Sequence, residues 1–553
     1  MRALVPPRST PDRDHDFARL GAESWDLLVI GGGITGTAVA RDAALRGLKT
    51  ALVEQGDFAF GTSSRSSRLV HGGLRYLANF DFSLVREGLV ERRRLLDSAP
   101  GLVRPVRFIY PVYKGDPDRL GKVHLGVRLY DALSLGHGLG GTKRLLRKQL
   151  LHSIPGLRRD GLQGAVSYFD AATHDTRLTL AVARSALRAG AVLVPRCRAL
   201  GLSGNQDRNG GARICDLLSD QSQRGGQGDR EIEVRAKATV LCCGPWQTLY
   251  PPATVKLRTA RGTHISIKNR RIPLDGYIAL RSPRDGRLAF AMPIGQYIVF
   301  GTTDDDDRTE PGLVRPTAQD AGYLLELANH AFPAVDVTPE DVTGIWAGLR
   351  PLVAEGSGED ADALSRRHLV VRGPPGLWIL TGGKLTTHRR MAEDLVDAIV
   401  PALAELGVEA GLCVTTEGNL LTGDLDAGRV RLEALGMSHG ALDSASGLYG
   451  NSLEELIEFL PKEPTGDPDA RFRRAQIAMA VKREWALSLD DLLLRRLEPG
   501  PLDLKQCWRE APAAARELGS HLAWSDQEVT RAAAELRDGI TRDLGAAGIP
   551  LPT

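Results

Sequence analysis

The sequence contains little cysteine and no long apolar run. Its 553 residues include six cysteines, none in a C-x-x-C pair and none spaced like metal ligands. Sparse cysteine argues against a disulfide framework and is typical of reduced proteins on the cytosolic side of a membrane. No run of about 18 apolar residues occurs, so no transmembrane helix is predicted. The first residues also lack the apolar core of a secretory signal.

Excess charge of either sign is absent as well. Lysine and arginine number 71 against 68 acidic residues, which gives a formal net charge of +3. This balance lacks the basic excess of a nucleic-acid-binding protein, so no nucleic-acid partner is expected. The acidic run 304–307 does not have the spaced ligands of a calcium loop, so no metal site is expected.

Composition changes along the chain and predicts three parts. Residues 1–24 are rich in Pro, Arg and Asp and are predicted to be a disordered tail. Residues 25–404 contain buried strand patterns, glycine turns and an inserted β-rich region, which together predict an α/β core. Residues 405–553 have apolar residues at helical spacing and predict a helical C-terminal domain.

A dinucleotide-binding fingerprint opens the ordered chain. The apolar run 26–30 predicts a buried strand, and Gly31, Gly33 and Gly36 follow it in G-x-G-x-x-G spacing before a helix. These glycines let the backbone turn tightly and approach a pyrophosphate at the helix N-terminus. Glu54 ends the next predicted strand, where a carboxylate accepts the ribose hydroxyls. The acid favours FAD or NAD over NADP.

The segment TSSRSSRLVHGGLRYL, residues 62–77, favours FAD over NAD. Hydroxyl side chains can donate to phosphate and ribityl oxygens, and glycines let the backbone pass close to a flat ring. A solvated loop is the alternative interpretation. The residues of this segment predicted to contact the cofactor are Thr62, Ser63, Ser64, Ser67, His71, Gly72 and Gly73.

Two later strands also end in glycine turns, at Gly244 and at Gly382–Gly383. The second turn precedes a helix, whose N-terminus would stabilise negative charge on a reduced flavin. Further predicted cofactor contacts are Ala199, Gly244, Gly383, Lys384, Leu385 and Thr386.

These segments together resemble the FAD-dependent glycerol-3-phosphate dehydrogenase family, which has the D-amino-acid-oxidase-like fold. The matching pieces are IGGGITGTAVARDAALRG (30–47), TSSRSSRLVHGGLRYL (62–77), RGTHISI (261–267), FGTTDDD (300–306), GLRPL (348–352), GGKLTTHRRMA (382–392) and EWALSLDDLLLRR (484–496). The resemblance implies a two-domain, Rossmann-like FAD-binding core with an inserted antiparallel β substrate domain. It implies FAD-binding parts near 25–100, 150–255 and 345–404, and substrate or cap parts near 101–149 and 256–344.

The resemblance also implies a reaction and a partner. The family oxidises sn-glycerol 3-phosphate to dihydroxyacetone phosphate and passes electrons from reduced FAD to a membrane quinone. Two positions depart from the family pattern: Ala38 and His388 stand where glycine and tyrosine are usual.

Several cations are placed around the substrate by this resemblance. Arg366 and Lys384 are expected to bind the phosphate, because arginine and lysine suit a dianion. Arg350 is expected to stabilise the reacting alcohol oxygen as it develops charge. His264 is the candidate general base, with a satisfied core histidine as the alternative. Arg75 and Tyr76 are also expected to line the substrate pocket.

Residues 123–150 mix apolar side chains with Lys143, Arg144, Arg147 and Lys148. Such basic amphipathic surface binds anionic lipid reversibly, and an ordinary solvated helix face is the alternative. The expectation is peripheral attachment to the inner face of the cytoplasmic membrane. The C-terminal signature 484–496 is expected to serve packing or dimerisation, which leaves a homodimer open.

Two other functions remain open at this point. A same-fold oxidase could use O₂ as the acceptor and take glycerol 3-phosphate or another small alcohol or amine as substrate. A flavin-binding protein without turnover is the alternative from another class.

Overall fold

The computed structural model describes residues 10–134, 136–204, 209–218, 230–249, 257–353, 367–461 and 467–552. The helices are α1 Arg13–Ala22, α2 Ile34–Leu45, α3 Phe82–Ser98, α4 Leu120–Leu133, α5 Arg147–Ser153, α6 Asp175–Arg188, α7 Ala318–Ala331, α8 His388–Ala404, α9 Leu425–Ala434, α10 His439–Tyr449, α11 Pro468–Glu484, α12 Leu504–Leu522 and α13 Asp526–Ala546. The strands are β1 Ser24–Ile30, β2 Thr50–Glu54, β3 Leu69–Val70, β4 Val103–Tyr113, β5 Lys143–Leu146, β6 Leu162–Thr173, β7 Val192–Pro195, β8 Cys197–Gly204, β9 Asn209–Asp216, β10 Arg230–Leu241, β11 Leu257–Lys268, β12 Tyr277–Arg281, β13 Leu288–Ile294, β14 Tyr297–Gly301, β15 Asp305–Asp306, β16 Val342–Val353, β17 His368–Arg372 and β18 Leu377–Gly382.

The first sheet has the order β17-β18-β10-β1-β2-β7, and its strands from β18 to β7 are parallel. Its central strand β1 is an apolar run buried over six of its seven residues, as a strand covered on both faces requires. Helix α2 packs against β1, α6 against β7 and α8 against β10. The predicted strand–helix–strand unit is confirmed by β1, α2 and β2.

The second sheet follows the order β15-β11-β14-β13-β12-β4-β6-β3, with β16 paired to β11 and β5 to β6. Most of its neighbours are antiparallel, so the predicted inserted β region is present. Strand β16 contacts both β11 and β18. The two sheets therefore meet beside the glycine turn that ends β18.

The N-terminal tail was predicted to be disordered over 1–24, and this is wrong for α1. Asp12 caps the helix by accepting a hydrogen bond from the backbone of His15. Phe17 and Leu20, three residues apart on one helix face, are fully buried against the first sheet. The high content of Pro, Arg and Asp concealed this short apolar stripe. Residues 1–9 lie outside the described residues.

The C-terminal region is helical, as expected, and its signature 484–496 packs against the FAD-binding core. Glu484 accepts two hydrogen bonds from Arg177 of α6, at 2.6 and 2.7 Å. The ring of Trp485 packs edge-on against Phe58, with centroids 4.9 Å apart. These contacts agree with packing, one of the two roles expected for this signature from the sequence.

Candidate functional site

A cavity of about 210 Å³ opens at the carboxyl ends of the parallel strands β1, β2, β10 and β18. In sheets of this kind ligands bind at that edge, because the loops following the strands converge there. Ten residues predicted to contact the cofactor line it: Gly31, Gly33, Glu54, Thr62, Ser63, Ala199, Gly244, Gly383, Lys384 and Leu385.

The glycine turn between β1 and α2 has no room for larger side chains. Gly31 adopts φ +112°, a conformation that favours glycine. A Cβ on Gly36 would collide with the carbonyl oxygen of Gly31. The absence of a side chain at Gly36 therefore allows α2 to approach the turn. Gly36 itself does not line the cavity. The hydroxyl of Ser63 accepts a hydrogen bond from the backbone of Ile34 at 3.0 Å, at the start of α2.

Glu54 lies at the carboxyl end of β2 and faces the cavity. Its two oxygens accept hydrogen bonds from the backbone of Gly32 at 2.6 Å and of Gly56 at 2.7 Å. Burial raises the pKa of this carboxyl, despite those two donors. Each carboxylate oxygen has a second lone pair, so Glu54 can still accept from ribose hydroxyls.

The remaining predicted cofactor residues lie beside the cavity without lining it. The backbone of His71 donates to the Thr386 hydroxyl at 3.1 Å, which joins the 62–77 segment to the loop after β18. Gly72 donates to the hydroxyl of Tyr130 at 2.8 Å. A Cβ on Gly73 would overlap the Tyr76 ring. Ser64 donates to the Gly61 carbonyl at 3.2 Å and supports the turn locally.

His264 is almost completely buried on β11, and its ring is stacked on Trp346 with centroids 5.0 Å apart. Its Nε2 lies 2.8 Å from the hydroxyl of Ser67, another predicted cofactor residue. Burial, together with the nearby guanidinium groups of Arg350 and Arg68, lowers the pKa of His264 to about 3. The imidazole is therefore neutral at physiological pH.

Arg350 is half-buried on β16 and is held in place from one side. It donates to the Asp304 carboxylate at 2.6 Å and to the Thr302 hydroxyl at 2.9 Å. A Cβ on Gly262 would overlap the guanidinium, so the glycine of the RGTHISI segment makes room for it. The neighbouring Pro351 lines the cavity.

Lys384 contacts Tyr76, and both residues were predicted to line the substrate pocket. Its Nζ lies 3.8 Å from the centroid of the Tyr76 ring, a cation–π contact between the loop after β18 and the segment after β3. Lys384 also lines the cavity. Arg366 and the side chain of Arg75 lie outside the described residues.

Several lining residues were not predicted from the sequence. They include Thr35, Gln55, Ser66, Cys197, Cys243, Trp246, Pro351 and Met391. Pro351 and Met391 lie inside two segments that carry the family resemblance, GLRPL and GGKLTTHRRMA, although neither residue was named as a contact. Trp246 lies two residues after the predicted turn at Gly244. Cys197 carries no such signal, because an ordinary buried cysteine has the same appearance in a sequence.

The donor set of the cavity fits FAD. The glycine turn leaves space for a pyrophosphate at the start of α2, Glu54 presents a carboxylate, and Thr62 and Ser63 supply hydroxyls. The chain matches the model of the FAD dependent oxidoreductase family over residues 26–398. It also matches the C-terminal domain of alpha-glycerophosphate oxidase over residues 386–529.

Individual relatives agree with these matches. The aerobic glycerol-3-phosphate dehydrogenase of Staphylococcus aureus (strain USA300) is 32% identical over 511 residues, which cover 88% of this chain and 89% of the relative. The glycerol-3-phosphate dehydrogenase of Bacillus halodurans, solved with FAD, superposes with a TM-score of 0.77 at 28% identity and covers 97% of this chain and 98% of that one. The Mycoplasma pneumoniae L-alpha-glycerophosphate oxidase shares the fold, with a TM-score of 0.54 at 16% identity over 72% of this chain and 98% of that one. This chain therefore belongs to the FAD-dependent glycerol-3-phosphate dehydrogenase family, and FAD is its cofactor.

Proposed function

We propose that this chain oxidises sn-glycerol 3-phosphate to dihydroxyacetone phosphate by hydride transfer to FAD, and that the electrons pass to a membrane quinone. The observation that carries the proposal is the position of Lys384, which lines the cofactor cavity and contacts Tyr76 of the HGGLRYL motif. A cation at this edge suits the phosphate of a small substrate. Arg366 is proposed to add a second cation, and Arg75 a third.

Arg350 is proposed to stabilise the reacting alcohol. Its guanidinium is already held by Asp304 and Thr302, so the side chain loses little conformational entropy when the substrate binds. A fixed cation beside the alcohol oxygen favours the alkoxide that develops as the hydride leaves.

His264 is proposed to accept the alcohol proton through Ser67. The ring is neutral, and its Nε2 already lies 2.8 Å from the Ser67 hydroxyl. The substrate hydroxyl would give its proton to Ser67 Oγ while the Ser67 proton moves to Nε2, so one proton leaves the substrate and one arrives on the histidine. A bound phosphate dianion nearby would favour the protonated imidazole.

The experiment that tests this function is anaerobic mixing of the FAD-loaded protein with sn-glycerol 3-phosphate. We expect the visible flavin band to disappear with this substrate and to persist with glycerol, lactate or glycine. Bleaching by glycerol alone would contradict the role of the phosphate. A flavin that persists with every substrate would favour a binding protein without turnover.

Oxidation by O₂ is the second candidate, because the C-terminal region matches the model of an oxidase domain. Reoxidation of the reduced protein separates the two. Rapid return of the flavin band with a soluble quinone, and slow return with O₂, supports the dehydrogenase. Stoichiometric hydrogen peroxide with each turnover supports the oxidase.

Peripheral attachment to the inner face of the cytoplasmic membrane is proposed for the surface around α4. In the part of the chain that the structure describes, no helix has both the length and the apolarity needed to cross a bilayer. Leu125 and Leu129 of α4 are 70% and 43% exposed, and Leu146 of β5 is also exposed. The predicted cations of 143–148 are exposed beside Leu146. Apolar side chains next to cations suit an anionic lipid surface.

Flotation with anionic vesicles tests the attachment. Leu125→Ser combined with Leu129→Ser should reduce the membrane-bound fraction, because it removes apolar area from this surface. Leu412→Ser is the matched control, since Leu412 is 87% exposed but belongs to the C-terminal region and not to α4 or β5. Equal flotation of the double variant and the wild type would contradict the proposed surface.

A further inference from the structure

A second cavity of about 240 Å³ lies between α2, α3, the first turn of α8 and the loop at 415–420. Among the described residues, the two cavities have no lining residue in common. Arg41 and His388 both line it. His388 is the position where the family usually has tyrosine, so the departure noted in the sequence faces this space.

Arg41 brings a buried cation to the cavity. Its side chain is buried, at 6% exposure, and donates from Nε to Ser185 at 2.9 Å and from Nη1 to the Thr415 carbonyl at 3.3 Å. Among the described residues, no carboxylate pairs with it and its Nη2 donates to no protein atom. Burial lowers the pKa of Arg41 to about 10, which still leaves it charged at neutral pH.

The carboxylates of the cavity are already paired. Glu91 accepts from Arg389 at 2.7 and 2.8 Å and from Arg94 at 2.6 Å. Asp97 pairs with Arg93 at 2.8 Å, on the exposed side of α3. Among the described residues, the acidic groups of the cavity therefore form no ion pair with Arg41, and the nearby Asp42 pairs with Arg46. An unpaired buried cation favours an anion in the cavity.

His388 determines which anion fits. Its Nδ1 lies 2.8 Å from the Leu385 carbonyl oxygen, which can only accept, so Nδ1 carries the hydrogen. Burial lowers the pKa of His388 to about 4, so the ring is neutral and Nε2 is an acceptor. The cavity therefore offers a cationic donor at Arg41 and a neutral acceptor at His388.

We propose that this cavity is a second anion site, selective for an oxyanion that carries its own O–H group, namely inorganic phosphate. One phosphate oxygen accepts from Arg41 Nη2, and the P–OH group donates to His388 Nε2. Sulfate is similar in size and charge but has no hydrogen to donate at neutral pH, so it leaves Nε2 unpaired. Esterified phosphate as a dianion lacks the hydrogen for the same reason.

Calorimetric titration of the FAD-loaded protein with phosphate, sulfate and methyl phosphate at slightly alkaline pH tests the proposal. Neither Arg41 nor His388 lines the cofactor cavity, so differences between these variants report the second cavity. In the wild type we expect the second cavity to bind phosphate at least about tenfold more tightly than sulfate or methyl phosphate. This ratio is equivalent to about 1.4 kcal/mol in binding free energy.

Two variants have different expected signatures. Arg41→Gln should abolish phosphate binding at the second cavity, because it removes the cation. His388→Tyr restores the usual family residue and is expected to fold; its hydroxyl can donate to either anion, so the preference for phosphate over sulfate should disappear. Arg284→Gln breaks an exposed pair with Glu326, neither of which lines this cavity; it is the control and should bind as the wild type does.

Identical isotherms for the wild type and both variants would overturn the proposal, because phosphate would then bind only at the substrate pocket. Equal wild-type affinity for phosphate and sulfate would overturn the assigned role of His388. These outcomes are independent of flavin reduction by glycerol 3-phosphate, so the proposed function can stand if this site fails.

Discussion

The carboxylate of Asp57 accepts hydrogen bonds at 2.5 and 2.6 Å from the guanidinium of Arg496, and both side chains are fully buried. Asp57 lies three residues after Glu54, in the loop that borders the cofactor cavity. Arg496 ends the C-terminal signature, and the adjacent Arg495 donates to the same carboxylate at 2.6 Å. The C-terminal region thus holds the loop that follows Glu54, the acidic residue predicted to bind the cofactor.

Asp57→Asn should destabilise the protein and weaken FAD retention together. It leaves the buried guanidinium of Arg496 without its carboxylate, while Arg495 keeps its pair with Asp491. Loss of one partner of a buried pair costs about 3 kcal/mol or more. Chemical unfolding and the FAD content after gel filtration measure the two effects. Arg284→Gln breaks an exposed pair with Glu326 and should cost less than about 1 kcal/mol. Full FAD retention in Asp57→Asn would show that the pair does not support the cofactor loop.

Gly36→Ala should prevent FAD binding while most of the fold remains. The added Cβ would meet the Gly31 carbonyl oxygen, so α2 must move away from the turn. Flavin absorbance of the purified variant measures the loss. Gly121→Ala is the matched control, because a Cβ at Gly121 in α4 meets no atom within 4 Å among the described residues. A Gly36→Ala protein with normal flavin content would contradict the proposed tight turn.

Asp304→Asn should lower kcat with glycerol 3-phosphate by about tenfold and change KM little. The Arg350 guanidinium would lose its carboxylate partner at 2.6 Å and with it part of its fixed orientation toward the alcohol, at a cost of about 1.4 kcal/mol in the transition state. Steady-state kinetics with a quinone acceptor measures both constants. The control Asp306→Asn alters an exposed pair with Arg258. A raised KM with unchanged kcat would instead assign Arg350 to substrate binding.

Stability should fall when the pH is lowered below about 6.5. Burial lowers the pKa of His264 to about 3 and of His388 to about 4. Between these values and the ordinary histidine pKa of about 6.5, each ring takes up a proton only when the protein unfolds. The unfolded chain then binds more protons, and each histidine costs about 1 kcal/mol between pH 6.5 and 5.5. Urea unfolding at both pH values measures the slope.

His388→Tyr should reduce that slope by the share of one histidine, because tyrosine does not titrate in this range. The exposed His439→Gln is the control variant. A slope that is unchanged in His388→Tyr would mean that His388 is protonated in the folded protein.

Ten of the residues predicted from local sequence patterns to contact the cofactor line one cavity. The strand, turn and helix around Gly31 and Gly36 form within about thirty residues, so their geometry depends on neighbours in the chain. The same is true of β18 and the turn at Gly383. Helix α1 was missed because its apolar face consists of little more than Phe17 and Leu20 within a polar segment.

The sequence alone determined the α/β core, the helical C-terminal region, and FAD as the cofactor, because periodicity and glycine spacing are local properties. Only the tertiary structure showed that Arg496 holds Asp57, that Ser67 contacts His264, and that Arg41 and His388 face one cavity. Ser67 and His264 are 197 residues apart in the sequence, and Asp57 and Arg496 are 439 residues apart. No local pattern specifies such a contact, because it depends on how whole sheets and helices pack.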